Sequence, residues 1–168
     1  LFGISAKYVD TLRKLKPNSK VLDLGCGTGR LAIAAALLGA DVTGYEIDSE
    51  AMSISEKYSS QNNLDIKWIN AAVEGIDTEF DTVIMNPPFG SQRPGADKVF
   101  LEKAMEIATN VWTIHLSETR KFIEKIIEKN NFHVIELYEF EYPLKNSMPF
   151  HSKKVSVENA ILYHIASL

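Results

Sequence analysis

The chain has 168 residues, of which 45% are hydrophobic and 24% are charged, a balance typical of one globular domain with a buried core. These values exclude a disordered tail, a collagen-like fibre and a small disulfide-rich protein. The net charge of −4 excludes a protein that holds nucleic acid through a strongly basic surface alone.

Cysteine content and the longest apolar run indicate the cellular compartment of the protein. Cys26 is the single cysteine and cannot form an internal disulfide, which favours a reducing, cytoplasmic location. Residues 31–40 form the longest apolar run, and a membrane-spanning helix needs about 20 residues, so we predict a core helix and no membrane association.

Short apolar runs alternate with longer helical patterns, and two long strands end the chain. The predicted elements in chain order are strand 20–24, helix 30–38, strand 41–46, helix 49–61 capped by Asp48 or Ser49, strand 66–69, strand 80–85, helix 97–108, strand 111–115, helix 118–129 with Phe122, Ile123, Ile126 and Ile127 facing inward, and strands 132–142 and 155–165. Because no helical pattern separates the last two strands, we expect them to pair as an antiparallel hairpin.

This order of elements predicts an α/β fold: a doubly wound, Rossmann-like sheet of seven strands, mostly parallel, with a C-terminal antiparallel hairpin. Ligands of such sheets bind at the carboxyl ends of the strands. We expect residues 1–168 to form a single domain that lacks its native N-terminal segment, since the chain begins at Leu1 rather than at Met.

A glycine-rich loop follows the first predicted strand. The segment DLGCGTG, residues 23–29, allows a ligand to approach the backbone closely, although dinucleotide-binding proteins and ordinary tight turns show similar patterns. Glu46 ends the second predicted strand, where a carboxylate can accept two hydrogen bonds from a ribose diol. Both NAD and S-adenosylmethionine carry such a diol, so these two features alone do not distinguish the cofactors.

The segment Asn86-Pro87-Pro88-Phe89 directly follows the fourth predicted strand. Two successive prolines hold the backbone extended, and this fixes the direction of the Asn86 side chain and of the Pro87 carbonyl. Two acceptors that converge suit an amine with two hydrogens, and such hydrogen bonds favour a pyramidal nitrogen whose lone pair is exposed. Phe89 can stack on a flipped base, which contributes about 1–3 kcal/mol. The alternative is a Pro-Pro turn that ends a strand, with Phe89 in the core.

On these residues the sequence resembles class I S-adenosylmethionine-dependent methyltransferases that modify exocyclic amines. More closely, it resembles the methyltransferase-like protein 5 family, archaeal and eukaryotic enzymes that methylate N6 of adenosine in small-subunit ribosomal RNA. The stretches that carry the resemblance are DLGCGTG (23–29), FDTVIMNPPFG (80–90), GADKVFLEKAME (95–106) and FHSKKVSVE (150–158).

The resemblance implies S-adenosylmethionine as the cofactor and assigns roles by position. Asp23 would orient the amino group of the cofactor, Glu46 would hold its ribose, and Gly25, Gly27 and Gly29 would surround its methionine part. Asn86, Pro87 and Phe89 would form the pocket for the target base. Relatives usually carry an Asp near the cofactor adenine where this chain has Ala72, so backbone groups near Ala72 are expected to serve instead.

The remaining candidates concern substrate and partner. Arg93 could contact a phosphate. A basic and aromatic stretch near the end of the chain suggests RNA contact or, alternatively, a solvated hairpin tip; its candidate residues are Phe150, His151, Lys153 and Lys154.

The third strand is expected at a sheet edge, where the resemblance implies docking of a small zinc-binding activator of the Trm112 type. The alternative is that Trp68 of this strand simply packs against a helix. We assign His115 a packing role and predict no metal site.

The sequence therefore predicts an enzyme that transfers a methyl group from S-adenosylmethionine to N6 of an adenosine in RNA, with ribosomal RNA as the expected substrate. One alternative is a protein glutamine N5-methyltransferase, because a glutamine amide also carries two N–H bonds; Phe89 in place of a Tyr argues against it. Another is a non-catalytic, cofactor-binding partner subunit, which the acidic balance and Ala72 would favour. A NAD-dependent oxidoreductase would leave residues 86–89 unexplained.

Overall fold

The computed structural model describes residues 6–88, 95–145 and 155–167. These residues form one seven-stranded sheet with helices on its two faces. The strands are β1 (Lys20–Leu24), β2 (Asp41–Glu46), β3 (Ile66–Asn70), β4 (Phe80–Met85), β5 (Ala108–Leu116), β6 (Phe132–Lys145) and β7 (Val155–Ser167). The helices are α1 (Ala6–Leu12), α2 (Arg30–Leu37), α3 (Ser49–Gln61), α4 (Ala96–Ile107) and α5 (Arg120–Lys129), with short 3-10 turns at Val73–Gly75 and Ser117–Thr119.

The strand order is β3-β2-β1-β4-β5-β7-β6, which confirms the predicted fold class. Strands β1 to β5 pair in parallel, and β7 pairs antiparallel with both β5 and β6. The predicted hairpin is therefore present, and its second strand lies inside the sheet while its first strand forms the edge. This order brings the ends of β1 and β4 side by side, where the two sequence motifs lie.

The core has two layers because residues alternate between the faces of each strand. In β4, Val83 and Met85 pack on the face that carries α4 and α5, whereas Ile84 packs on the face that carries α1 and α2. Both faces of the central strands are covered, which explains why β4 reads as a continuous apolar run.

The structure extends or shifts several predicted boundaries. Helix α4 ends at Ile107 and β5 begins at Ala108, so the fifth strand is longer than the predicted 111–115. Asp48 is the N-cap of α3, as predicted, because its Oδ1 accepts the N–H groups of Glu50 at 2.9 Å and Ala51 at 3.3 Å. The sequence pattern did not predict α1.

The prediction that Phe122 faces the core is wrong, because 46% of this residue is exposed. Ile123, Ile126 and Ile127 are buried, as predicted. Successive helix residues are about 100° apart around the axis, so a stripe centred on the three isoleucines leaves Phe122 at its margin.

Among the described residues, no helix combines the length and the apolar composition needed to cross a membrane.

Candidate active site

A cleft of about 240 Å³ opens at the carboxyl ends of β1 and β4. The residues that line it come from α1, from β1 and the glycine loop, from the start of α2, from the position after β4, and from β5 and β6: Tyr8, Asp23, Gly25, Cys26, Gly27, Thr28, Arg30, Leu31, Asn86, Ile114 and Tyr142. Asp23, Gly25, Gly27 and Asn86 were predicted as site residues, and the fold brings these four together.

Asp23 places a buried carboxylate at this cleft. It is 1% exposed, and its Oδ2 accepts the Ala32 N–H at 2.8 Å. Burial raises the pKa of Asp23 to about 7; the Ala32 hydrogen bond opposes this shift, and the negative charge of Glu46 adds to it. A nearby cation, such as the amino group of a ligand, would stabilise the ionised form of this buried carboxyl group.

Glu46 lies beside the cleft and is oriented by two backbone groups. Its Oε2 accepts the Gly27 N–H at 2.8 Å, and its Oε1 accepts the Asp48 N–H at 2.9 Å. Each carboxylate oxygen has two lone pairs, so both can still accept a hydroxyl hydrogen. The arrangement holds an acceptor pair next to the glycine loop, as a ribose diol requires.

Gly25, Gly27 and Gly29 differ in the space around their Cα atoms. All three have positive φ, from +53° to +73°. A Cβ at Gly25 would lie 2.5 Å from a ring carbon of Phe100, whereas a Cβ at Gly27 would meet nothing within 4 Å. The absence of a side chain at Gly25 therefore lets Phe100 of α4 pack against the loop. At Gly27 it leaves open space along the cleft.

Trp68 packs inward from β3 against the glycine loop. Its Nε1 donates to Ser59 Oγ of α3 at 3.0 Å, and a Cβ at Gly29 or Gly44 would lie 2.6 or 2.5 Å from its ring. The packing alternative for Trp68 is therefore observed. The close approach of the Trp68 ring to Gly29 and Gly44, which the sequence did not predict, explains why glycine stands at these two positions.

Asn86 follows the last residue of β4 and lines the cleft. Its Nδ2 donates to the Tyr142 hydroxyl at 3.0 Å. Pro87 is buried and Pro88 is half-buried, so these two residues pack against the protein. The side-chain amide therefore lies in the same cleft as the Asp23 carboxylate.

Tyr8 of α1 is a cleft residue that sequence reasoning missed. It is fully buried; its hydroxyl accepts the Met85 N–H at 3.0 Å and donates to the Trp112 carbonyl at 2.8 Å. Burial raises the pKa of Tyr8 well above its usual value, so the hydroxyl keeps its proton. Tyr8 thereby fixes the backbone next to Asn86. The spacing of Tyr8 and Leu12, one helical turn apart, was the available signal.

Ala72 lies near Glu46 but does not line the cleft. It precedes the 3-10 turn Val73–Gly75, and the N–H of its neighbour Ala71 donates to the Glu46 carbonyl at 3.1 Å. The backbone near Ala72 is thus tied to the end of β2. The candidates Phe89, Arg93, Phe150, His151, Lys153 and Lys154 lie outside the described residues.

His115 is buried in the sheet, in agreement with a packing role. It is 1% exposed, and its Nε2 lies 2.9 Å from Thr113 Oγ1. Burial lowers the pKa of His115 to about 3, so the ring is neutral. Within the described ranges, no group of three or more His, Cys, Asp or Glu side chains is placed to hold a metal ion.

The strand order, the glycine loop after β1 and the acidic residue at the end of β2 together define a class I S-adenosylmethionine-dependent methyltransferase. The residues present fit that cofactor, since a buried carboxylate, an open glycine and a second, oriented carboxylate lie at one end of the sheet. The chain belongs to the methyltransferase small-domain family, whose model matches residues 5–136.

Several relatives match over most of the chain. An uncharacterized protein of Methanocaldococcus jannaschii is 35% identical over 164 residues, which are 90% of this chain and 75% of the relative. The Danio rerio rRNA N6-adenosine-methyltransferase METTL5 is 37% identical over 145 residues, which are 82% of this chain and 70% of the relative.

A solved structure shares the fold. The crystal structure of a Pyrococcus horikoshii protein proposed to be an RNA methyltransferase superimposes with a TM-score of 0.89 at 35% identity. The match covers 96% of this chain and 82% of that one.

Proposed function

We propose that this protein transfers a methyl group from S-adenosylmethionine to N6 of an adenosine in RNA, and that small-subunit ribosomal RNA is the substrate. The observation that carries this proposal is the side-chain amide of Asn86 in one cleft with Asp23 and Gly27. The rRNA N6-adenosine-methyltransferases among the relatives, such as the one 37% identical to this chain, support the substrate class.

At one end of the site, Asp23, Gly27, Glu46 and backbone groups near Ala72 would hold the cofactor. When bound, S-adenosylmethionine would supply an electrophilic methyl carbon on a sulfonium, and the S–CH3 bond would break on transfer to leave the neutral thioether S-adenosylhomocysteine. Asp23 would accept hydrogen bonds from its amino group, and Gly27 would let its methionine part approach the backbone. Glu46 would accept from the ribose hydroxyls, and backbone groups near Ala72 would face the adenine.

At the other end, Asn86 and Pro87 would orient the target amine. Asn86 Oδ1 and the Pro87 carbonyl would accept its two N–H bonds, so that the nitrogen lone pair points at the methyl carbon. Phe89 would stack on the base, and the nitrogen would release one proton to water after transfer. Arg93 and the residues Phe150, His151, Lys153 and Lys154 would contact the RNA.

The direct test is methyl transfer from labelled cofactor to an unmodified transcript of small-subunit ribosomal RNA. We expect Asn86→Ala to lower kcat by about 100-fold or more, as loss of one polar contact to a reacting group typically does. The matched control is Asn110→Ala, which removes an asparagine near the amino end of β5, away from the cleft.

Two outcomes would contradict the proposal. Full activity of Asn86→Ala would exclude the mechanism, and label transfer to a glutamine-containing peptide but not to RNA would favour the protein methyltransferase. An RNA in which the target base lacks its exocyclic amine should accept no label.

We also propose that a small zinc-binding protein of the Trm112 type pairs with β3. Among the described strands, β3 ends the sheet and pairs only with β2, and the side chains of Lys67 and Asn70 are exposed. A sheet edge of this kind can accept a further strand through its backbone groups.

This partner is tested by gel filtration of the mixed proteins. The Ala71 N–H donates to the Glu46 carbonyl of β2, so the N–H of Asn70, one residue earlier in a parallel strand, points away from β2. We expect a complex with the wild type and with Asn70→Ala, and its loss with Asn70→Pro, because proline removes this outward-pointing backbone donor. Equal binding of all three proteins would place the partner elsewhere.

The compartment we propose is the cytoplasm. Cys26 is a free, buried thiol, which suits a reducing environment.

A further inference from the structure

The side chain of Asn86 is held by a residue of the C-terminal hairpin, 56 positions later in the chain. Tyr142 belongs to β6, is half-buried and lines the same cleft. From this contact we infer that Tyr142 is a positioning residue, which orients the amide of Asn86 toward the target amine. The inference rests on the proposed function and adds a residue that the motif 86–89 does not contain.

The chemistry of the amide makes its orientation decisive. Its oxygen accepts hydrogen bonds and its nitrogen donates them, so only the oxygen can receive an N–H of the target amine. Because Nδ2 of Asn86 donates to the Tyr142 hydroxyl at 3.0 Å, Oδ1 is the amide atom that remains available to the substrate. An exposed asparagine without this contact would sample other rotamers and would have to be ordered during each turnover.

The hydroxyl itself is held by the packing of its strand. Tyr138, Phe140 and Tyr142 alternate along β6 and pack on the face of the sheet that carries α1 and α2. The rings of Phe140 and Tyr142 meet edge to face, with centroids 6.1 Å apart, and the backbone of Tyr142 pairs with Glu158 of β7. The Tyr142 ring is therefore fixed independently of Asn86.

This contact joins elements that the sheet keeps apart. In the strand order, β5 and β7 lie between β4 and β6. The side-chain hydrogen bond thus makes the geometry of Asn86 depend directly on the hairpin, in addition to the prolines that follow it.

The test is Tyr142→Phe, which keeps the ring and removes only the hydroxyl. We expect kcat for methyl transfer to fall about 10- to 100-fold, because small losses of alignment at a reacting group have effects of this size. KM for S-adenosylmethionine and for RNA should stay within about twofold, since the hydroxyl contributes alignment rather than binding.

The matched control is Tyr138→Phe, which removes a hydroxyl from the same face of the same strand. That hydroxyl donates to Glu136 Oε2 at 2.6 Å rather than to Asn86, so kcat should be unchanged. A second measurement does not depend on activity: the side-chain amide resonance of Asn86, assigned through Asn86→Ala, should shift in Tyr142→Phe and not in Tyr138→Phe.

The outcomes separate the inference from the proposed function. If the wild type methylates RNA and Tyr142→Phe retains full kcat, or if the Asn86 amide resonance does not move, the inference is overturned and the proposed function stands. A wild type that transfers no methyl group to RNA overturns the proposed function and the inference with it.

Discussion

In the proposed function, the buried carboxylate of Asp23 binds the amino group of the cofactor in its ionised form. Asp23 is 1% exposed, and burial raises its pKa to about 7. The cofactor-free protein therefore holds a partly protonated carboxyl group at this position. The proposed contact with a cationic amino group requires the ionised form, so we expect cofactor binding to release a proton.

We expect the affinity for S-adenosylmethionine to fall with decreasing pH. With the pKa of Asp23 at about 7, the dissociation constant should be about tenfold higher near pH 6 than near pH 8. Calorimetry with S-adenosylhomocysteine, which carries the same amino group, measures this directly.

Two variants show whether Asp23 is the group responsible. Asp23→Asn cannot ionise, so it should bind more weakly and without this pH dependence, whereas the exposed Asp41→Asn should retain the wild-type profile. A wild-type dissociation constant that is equal at both pH values would contradict the assignment.

At the scale of elements, α5 shows how far an amphipathic pattern can be used. The pattern predicted four inward residues, and the structure buries Ile123, Ile126 and Ile127 but leaves Phe122 46% exposed. Phe122 was predicted to be buried because it is apolar. The position of α5 over the sheet determines which apolar residues of the helix face the core.

This difference in burial has a measurable consequence for stability. We expect Ile123→Ala to lower the free energy of unfolding by about 2–5 kcal/mol, because it leaves a cavity in the core. Phe122→Ala, in the same helix, should cost less than about 1 kcal/mol, although it removes a larger side chain. Urea denaturation of both variants tests this, and similar losses in the two would mean that Phe122 is packed.

At the scale of the whole molecule, long-range hydrogen bonds connect the site to α1 and to the first strand of the C-terminal hairpin. Tyr8 bonds to Met85 and Trp112 across 77 and 104 positions, and Tyr142 bonds to Asn86 across 56. The end of β4 is therefore held by α1 through the backbone of Met85, and Asn86 is held by β6 through its side chain.

Tyr8→Phe tests the first of these connections. Removal of the hydroxyl leaves the buried Met85 N–H and Trp112 carbonyl without this partner, and such losses cost about 1–3 kcal/mol. Tyr58→Phe, at a tyrosine that is 47% exposed, is the control and should change the free energy of unfolding by less than about 0.5 kcal/mol. A Tyr8→Phe protein as stable as the control in urea would show that the backbone there needs no such support.

The sequence alone determined the α/β class, the parallel strands and the place of the glycine loop, Glu46 and the 86–89 motif. These features are local: residues close in the chain share a strand, a turn or a cap, and periodicity or a short motif reports them. It also placed β3 at an edge and the last two strands in a hairpin, because chain order limits how such sheets connect.

The tertiary structure decided what surrounds the motifs. It brought Tyr8 and Tyr142 to Asn86, packed Trp68 against Gly29 and Gly44, and turned Phe122 to the surface. It also raised the pKa of Asp23. None of these follows from the chain locally, because each depends on burial or on a contact between elements distant in sequence, and those exist only once the elements have packed together.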